Sequence, residues 1–244
     1  MVGLHPRAIL LDLDDTILDD SSLVHECWRE ACAGQAHRFA PVEQEVIVDA
    51  IRTASRWYWG DADRHRTGRL ELEAARREVV SIALAGLGID DGPLAAAIGD
   101  GYSHRRDAGM EPLPEAIDTV RWLRDSGRRL ALLTNGAGPA QRKKVVRFGL
   151  ADFFDVILIE GEMGFGKPDE RVYQRALTAL DVPPSDAWMV GDNLEWDVAA
   201  PQKLGISGIW IDLRGRGVPQ DSTVRPDRVV KGLSDVRSLI APGV

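Results

Sequence analysis

Residues 8–20 read AILLDLDDTILDD, a short apolar run that leads into Asp12, Asp14, Asp15, Asp19 and Asp20. Like charges this close repel, and removing them from water is costly unless a cation or hydrogen-bond donors compensate. Two chemistries fit: a solvated acidic turn, or a metal ion and a reaction organised around the carboxylates. Side chains at i and i+2 of a strand point to one side, so Asp12 and Asp14 can face one reacting centre if extended geometry persists. Three later stretches offer comparable groups: Thr134 and Asn135 in LLTNG, Lys167 in GEMGFGKP, and Asp192 with Asp197 in VGDNLEWD. Each alone has an ordinary reading. Thr-Asn-Gly is common turn chemistry, Lys-Pro is commonplace, and Gly-Asp-Asn is a good helix entry.

The elements around these groups give them meaning. RRLALLT (128–134), FDVILIE (154–160), AWMVGD (187–192) and SGIWID (207–212) are compact apolar runs. Helix-type patterns separate them, over 139–148, about 169–180, and from 192 through 204. Strands of this length alternating with helices read as βαβ units around a parallel sheet buried on both faces, and ILLDL joins the same sheet. Ligands of such sheets bind beyond the carboxyl ends of the strands. Four strand ends deliver Asp12 and Asp14, Thr134 and Asn135, Lys167 after a short Gly-rich loop, and Asp192. That convergence is the main signal.

Residues 19–108 differ. SLVHECWREACAGQAHRF, VEQEVIVDAIRTASRWYW and LELEAARREVVSIALAGLG space apolar residues at three- and four-residue intervals, punctuated by Gly60, Gly68, Gly88 and Gly92-Pro93. The expected organisation is therefore a sheet domain over 1–18 and 109–244, with a helical block inserted at 19–108. The stretch from about Arg214 to Asp227 reads as a loop.

DLDDT (12–16), LLTNG (132–136), GKP (166–168) and VGDNLEWD (190–197), in that order, resemble the four motifs of the haloacid dehalogenase-like (HAD) hydrolases. The helical block sits where that superfamily carries a helical cap, and TNG with GDNxxxD is most similar to phosphatases acting on nucleoside monophosphates or acylneuraminate 9-phosphate. The resemblance implies an α/β fold, a Rossmann-like core with an inserted α-helical cap. It implies an aspartyl-phosphate mechanism in which Asp12 attacks phosphorus and Asp14 is the general acid and base. It further implies Mg²⁺ held by Asp12, the Asp14 backbone carbonyl and Asp192. Thr134 and the Asn135 amide would hold phosphate oxygens, and Lys167 would neutralise their charge. Asp197 would either orient Lys167 or join the metal's outer shell. Asp15 stands where many members carry Gly.

The same resemblance bounds the alternatives. A haloacid dehalogenase shares the Asp nucleophile but needs neither the second acid nor Mg²⁺, so Asp14 and Asp192 favour phosphoryl chemistry. A phosphosugar mutase shares the first half-reaction. A phosphonate-cleaving relative needs a cap lysine, and the first lysine here is Lys143. A non-catalytic binding protein on this fold would typically have lost one of these groups.

Composition narrows the partners. Hydrophobic residues make up 44% of the 244, charged residues 28%, and the formal net charge is -8. That charge argues against a nucleic-acid polymer as partner, because such binding needs clustered Lys and Arg, but a small phosphorylated metabolite remains suitable. Cys27 and Cys32 lie on one helix roughly 8 Å apart, beyond comfortable disulfide reach, and read as reduced thiols of a cytoplasmic protein. No stretch has the length of a membrane span. In the helical block, Arg52, Arg56 and Trp59, followed by Arg64, His65 and Arg66, could hold an anionic group. The favoured reading is a helix end with buried aromatics and solvated arginines, and Trp28 and His25 are expected in the block's core.

Overall fold

The computed structural model describes residues 5–240. Six strands form one parallel sheet: β1 (Ala8–Leu11), β2 (Arg129–Thr134), β3 (Val156–Ile159), β4 (Ala187–Gly191), β5 (Ser207–Ile211) and β6 (Arg228–Val230). Their order across the sheet is β3-β2-β1-β4-β5-β6, with β1 between β2 and β4. Eleven α-helices are present among the described residues: α1 (Val24–Ala33), α2 (Gln44–Trp59), α3 (Ala62–Gly68), α4 (Leu72–Gly86), α5 (Gly92–Gly109), α6 (Ala116–Asp125), α7 (Gly138–Arg147), α8 (Glu160–Met163), α9 (Glu170–Leu180), α10 (Ala200–Lys203) and α11 (Asp235–Ile240). The chain divides into two compact units, Met1–Asp19 with Glu111–Val244, and Asp20–Met110. The architecture is α/β, a Rossmann-like parallel sheet with an inserted helical block.

In the sheet unit, β1 and β4 are buried at every position, as expected of strands covered on both faces. Leu10, Leu133 and Met189 from three adjacent strands pack against α9, whose buried face is Val172, Tyr173, Ala176, Leu177 and Leu180. That helix starts on Asp169, whose carboxylate accepts from the Arg171 amide at 3.0 Å, and ends on Asp181 in the left-handed region. The register places Leu11 level with Leu132 and Val190, so Asp12, Thr134 and Asp192 emerge at the same edge.

Three elements depart from expectation. Residues 160–163, read as a strand end and Gly-rich loop, form the short helix α8. The sheet has a sixth strand, β6, which at three residues is too short to show a pattern; it pairs with β5 at the sheet edge. The helix expected from Asp192 to Leu204 begins as a π-helical turn over Leu194–Ala199 before α10. Asn193 caps that turn, its side-chain oxygen accepting from the Glu195 and Trp196 amides at 3.0 Å each. The segment 214–227 carries no helix or strand, as the sequence predicts.

The helical unit is built from α1 to α5 around a core that includes Trp28, Ile47, Ile51, Tyr58, Val79, Leu84, Leu94 and Ile98. Gly92-Pro93 reads in the sequence as a break, yet it is the first turn of α5. Proline suits that position because its missing N–H is not needed there, and the Asp91 carboxylate accepts from the Leu94 amide at 2.8 Å. Gly99 lets α5 approach α4 closely: a Cβ there would meet the Arg77 backbone at 3.1 Å. His25, expected in this core, is exposed, because the inward stripe of α1 is Cys27, Trp28, Ala31 and Cys32. Both cysteines are free and buried, and burial pushes the Cys32 thiol up to about 12. No helix among the described residues is long and apolar enough to cross a membrane.

Candidate active site

Asp12 follows β1 directly, its amide still on the ladder with the Val190 carbonyl at 3.0 Å, so its direction is fixed by the sheet. The carboxylate is buried, and its Oδ1 accepts from Lys167 Nζ at 2.6 Å. The same ammonium donates to Asp197 Oδ1 at 2.7 Å. Lys167 is itself buried, held in place by Asn135, whose Oδ1 accepts from the Lys167 amide at 2.8 Å and whose Nδ2 donates to the Lys167 carbonyl at 2.6 Å. The expectation concerned the backbone amide of Asn135; its side chain is the clamp on the Lys167 loop.

Asp197 is fully buried, and both its oxygens are engaged. Oδ1 takes Lys167, and Oδ2 accepts from the Asn193 amide at 3.0 Å. The wide π-helical winding makes this reach possible. The sheet answers with Gly191, where a Cβ would lie 2.2 Å from Asp197 Oδ2. Of the two contacts left open for Asp197, the one with Lys167 is made. Asp192 follows β4, and its carbonyl accepts from the Trp210 indole at 2.7 Å. Ligand oxygens of Asp12, Asp192 and Asp197 all lie within 4.8 Å of one another.

Asp14 faces a different set of partners. Its Oδ1 accepts from Lys144 Nζ at 2.7 Å and its Oδ2 from Gln141 Nε2 at 2.9 Å. Gln141 also donates to Thr134 Oγ1 at 2.6 Å and to the Asn135 carbonyl at 2.8 Å. This buried amide on α7 thus ties the β1 and β2 loops together. Sequence reading missed Gln141 and Lys144. The available signal was the inward stripe Gly138, Gln141 and Val145 of α7, in which a glutamine at a core position requires partners. Glu160, buried at the head of α8, accepts from the Gly136 amide at 2.9 Å and fixes the TNG turn. Asp15 lies in the left-handed region at φ 55°, a conformation glycine adopts without strain and aspartate is among the few other residues to tolerate.

The electrostatics follow from three clustered carboxylates, two of which share one ammonium. Burial pushes the Asp12 carboxyl up to about 7, against the pull of Lys167 and with repulsion from Asp197 and Asp14 adding. Burial, Asp12, Asp197 and Asp15 push Asp192 up to about 8. Burial opposes charge on Lys167, but Asp12 and Asp197 outweigh it and hold the ammonium. Such a site has excess negative charge on hard oxygen donors, the donor set that a divalent cation of the Mg²⁺ type takes. The residues present fit that ion.

A family model described as haloacid dehalogenase-like hydrolase matches residues 6–205. This chain belongs to the HAD-like hydrolases. Among its relatives is a phosphoserine phosphatase of Thermus thermophilus, 34% identical over 252 residues, covering 94% of this chain and 97% of the relative. A glyceraldehyde 3-phosphate phosphatase of Methanopyrus kandleri is 29% identical, covering 91% and 89%. The HAD-hydrolase YfnB of Bacillus subtilis, solved bound to magnesium, shares the fold of this HAD-like chain with a TM-score of 0.74 at 20% identity, covering 97% and 99%.

In the helical unit of this HAD-like hydrolase, the arginines singled out from the sequence are locally satisfied. Arg52 pairs with Asp49 at 3.1 Å, Arg56 donates to Thr53 at 3.2 Å, and Arg66 pairs with Asp63 at 2.8 Å. Arg64 stacks 3.7 Å from the Trp57 ring centre and donates to the Trp57 carbonyl. None of these four lines the cavity of about 320 Å³ in the helical unit, whereas Trp59 and His65 of the same stretch do.

Proposed function

We propose that this chain, a HAD-like phosphoric monoester hydrolase, cleaves a small phosphomonoester through an aspartyl-phosphate on Asp12 with Mg²⁺ as cofactor. The observation that carries the reading is Lys167 Nζ shared between Asp12 and Asp197 at 2.6 and 2.7 Å, with Asp192 completing the carboxylate cluster.

Asp12 would attack phosphorus, forming the acyl-phosphate bond as the ester P–O bond breaks. Asp14 would protonate the departing oxygen. It would then take the proton of the water that hydrolyses the intermediate, releasing inorganic phosphate and restoring Asp12. Asp12, the Asp14 backbone carbonyl and Asp192 would hold Mg²⁺, which relieves repulsion between the carboxylate nucleophile and the phosphate dianion. Lys167 faces the charge that spreads over the equatorial oxygens, and Asp197, already bound at both oxygens, orients it. Thr134 and the Asn135 amide would receive phosphate oxygens. Gln141 and Lys144 position the Asp14 carboxylate between transfers.

The relatives named for phosphoserine and glyceraldehyde 3-phosphate support a substrate of a few carbons, alongside the nucleoside monophosphates and sugar phosphates to which the motifs point. The test is phosphate release from a panel of these compounds and p-nitrophenyl phosphate, with Mg²⁺ or EDTA, for the native chain and Asp12→Asn. Release that needs both Mg²⁺ and Asp12 supports the reading. Release that persists in Asp12→Asn overturns it.

A further inference from the structure

A cavity of about 320 Å³ lies inside the helical unit, lined from all five helices by residues that include Trp28, Trp59, Arg69, Arg76, Tyr102 and Arg106. It is at the small end of ligand pockets and holds roughly ten waters' worth of volume. Its walls combine flat aromatic surface with guanidinium groups. Trp28 and Tyr102 stack with ring centres 3.6 Å apart and planes within 8°. Arg106 is buried and satisfied: it pairs with the Asp20 carboxylate at 2.8 Å, donates to the Asp20 carbonyl, and donates to the Tyr102 hydroxyl at 2.5 Å.

Arg76 differs. Its Nη1 donates to Ser103 Oγ at 3.1 Å, and its guanidinium carbon lies 5.1 Å from the Tyr102 ring centre. No carboxylate among the described residues pairs with it. Burial, the largest influence, and the neighbouring Arg106 work against its charge and outweigh the favourable pull of Tyr102, Asp20 and Asp107. A guanidinium taken partly out of water, beside a second guanidinium, needs a counter-anion, and its planar fork matches a carboxylate in two parallel hydrogen bonds. Asp20 and Asp107 already act on Arg76 from nearby, so a singly charged carboxylate meets less repulsion there than a phosphate dianion.

We propose that this cavity binds a small carboxylate-bearing molecule, its carboxylate on Arg76 and its body against the Trp28–Tyr102 wall. Nothing in this assignment depends on the hydrolytic reading, and binding is therefore measured without turnover. Full-length Asp12→Asn protein is titrated with D-glycerate, with glycerol, which has a neutral hydroxymethyl group in place of the carboxylate, and with inorganic phosphate, following heat and tryptophan emission. Glycerate is expected to saturate where glycerol does not. Arg76→Met, which keeps the packed stem, is expected to weaken glycerate by about tenfold or more, as loss of a charge-assisted hydrogen bond should. Arg76→Lys, which keeps the charge, is expected to retain part of the binding and guards against a folding defect in the methionine variant. Equal behaviour of glycerate and glycerol overturns the proposal. So does glycerate binding unchanged in Arg76→Met, or an Arg76→Met variant that loses phosphate instead. In the active protein, competition between glycerate and p-nitrophenyl phosphate marks the carboxylate as the substrate's own. A non-competitive pattern marks a separate ligand. Either one, abolished in Arg76→Met, supports the site.

Discussion

Lys167→Met isolates the role of one buried ammonium. Carboxylate oxygens of Asp12, Asp192 and Asp197 lie within 4.8 Å of one another, and Lys167 bonds two of these residues at 2.6 and 2.7 Å. Methionine preserves most of the stem's volume but removes the charge. Stripping one partner from a buried ion pair typically costs about 3–5 kcal/mol, because the remaining charge is left uncompensated. The carboxylates can escape that cost by taking a proton, so the penalty depends on pH. Asp12 is raised to about 7 even with Lys167 present. For an acid raised on folding, the linked stability is present below the ordinary carboxylate range and lost as pH rises through the folded value. Without the ammonium that loss deepens. Urea unfolding in EDTA should therefore show Lys167→Met destabilised by about 3 kcal/mol near pH 8 and by roughly 1 kcal/mol near pH 5, where protonation substitutes for the lost partner. With Mg²⁺ at pH 8, kcat/KM should fall by about 10²–10³, the usual cost of removing one preorganised group facing transition-state charge. A penalty that is the same at both pH values, or a kcat/KM within tenfold of the native chain, would refute the reasoning.

Other predictions follow from the same contacts. In Gly191→Ala the new Cβ would sit 2.2 Å from Asp197 Oδ2, so the carboxylate must swing off Lys167; unfolding should show a loss of about 1–3 kcal/mol, together with a fall in kcat. The proposed Mg²⁺ would bind the ionised carboxylates, so its effect on the melting temperature should grow from pH 5 to pH 8, across the range in which Asp12 and Asp192 lose their protons; a thermal-shift series with and without EDTA measures this. Glu160→Ala leaves the buried Gly136 amide without its acceptor and should cost about 1–3 kcal/mol, read by denaturant unfolding, with a raised KM as the TNG turn loosens.

The candidate site's groups were legible because Asp12, Thr134 and Asp192 stand at or next to the ends of apolar runs whose length and neighbours mark them as buried parallel strands, with Lys167 a short connection beyond another. Order along the chain then did what no single motif could. The supporting groups were hidden for physical reasons. Gln141 and Lys144 reach Asp14 from 127 and 130 residues away, across a sheet order that periodicity does not reveal. The reach of Asp197 depends on a π-helical turn, and the 3.6-residue template cannot foresee it. Strand β6 is three residues long, and α5 is diluted by its glycines, one of which serves the close approach of α4. In the helical unit, the arginines that cluster in sequence, Arg52, Arg56, Arg64 and Arg66, are satisfied by local carboxylates, a hydroxyl, carbonyls and a ring, while Trp59 and His65 between them reach the cavity. The arginines gathered around that cavity, Arg69 just after α3, Arg76 on α4 and Arg106 on α5, are brought together only by the fold.

The central claim is that Asp12 becomes phosphorylated during turnover. Protein mixed with Mg²⁺ and excess substrate, quenched in acid within the first turnovers and digested, should yield the peptide carrying Asp12 with one added phosphoryl group. Asp12→Asn should give none. Steady phosphate release with no phosphoryl group on Asp12 at any quench time, or with the group on another residue, would contradict the account.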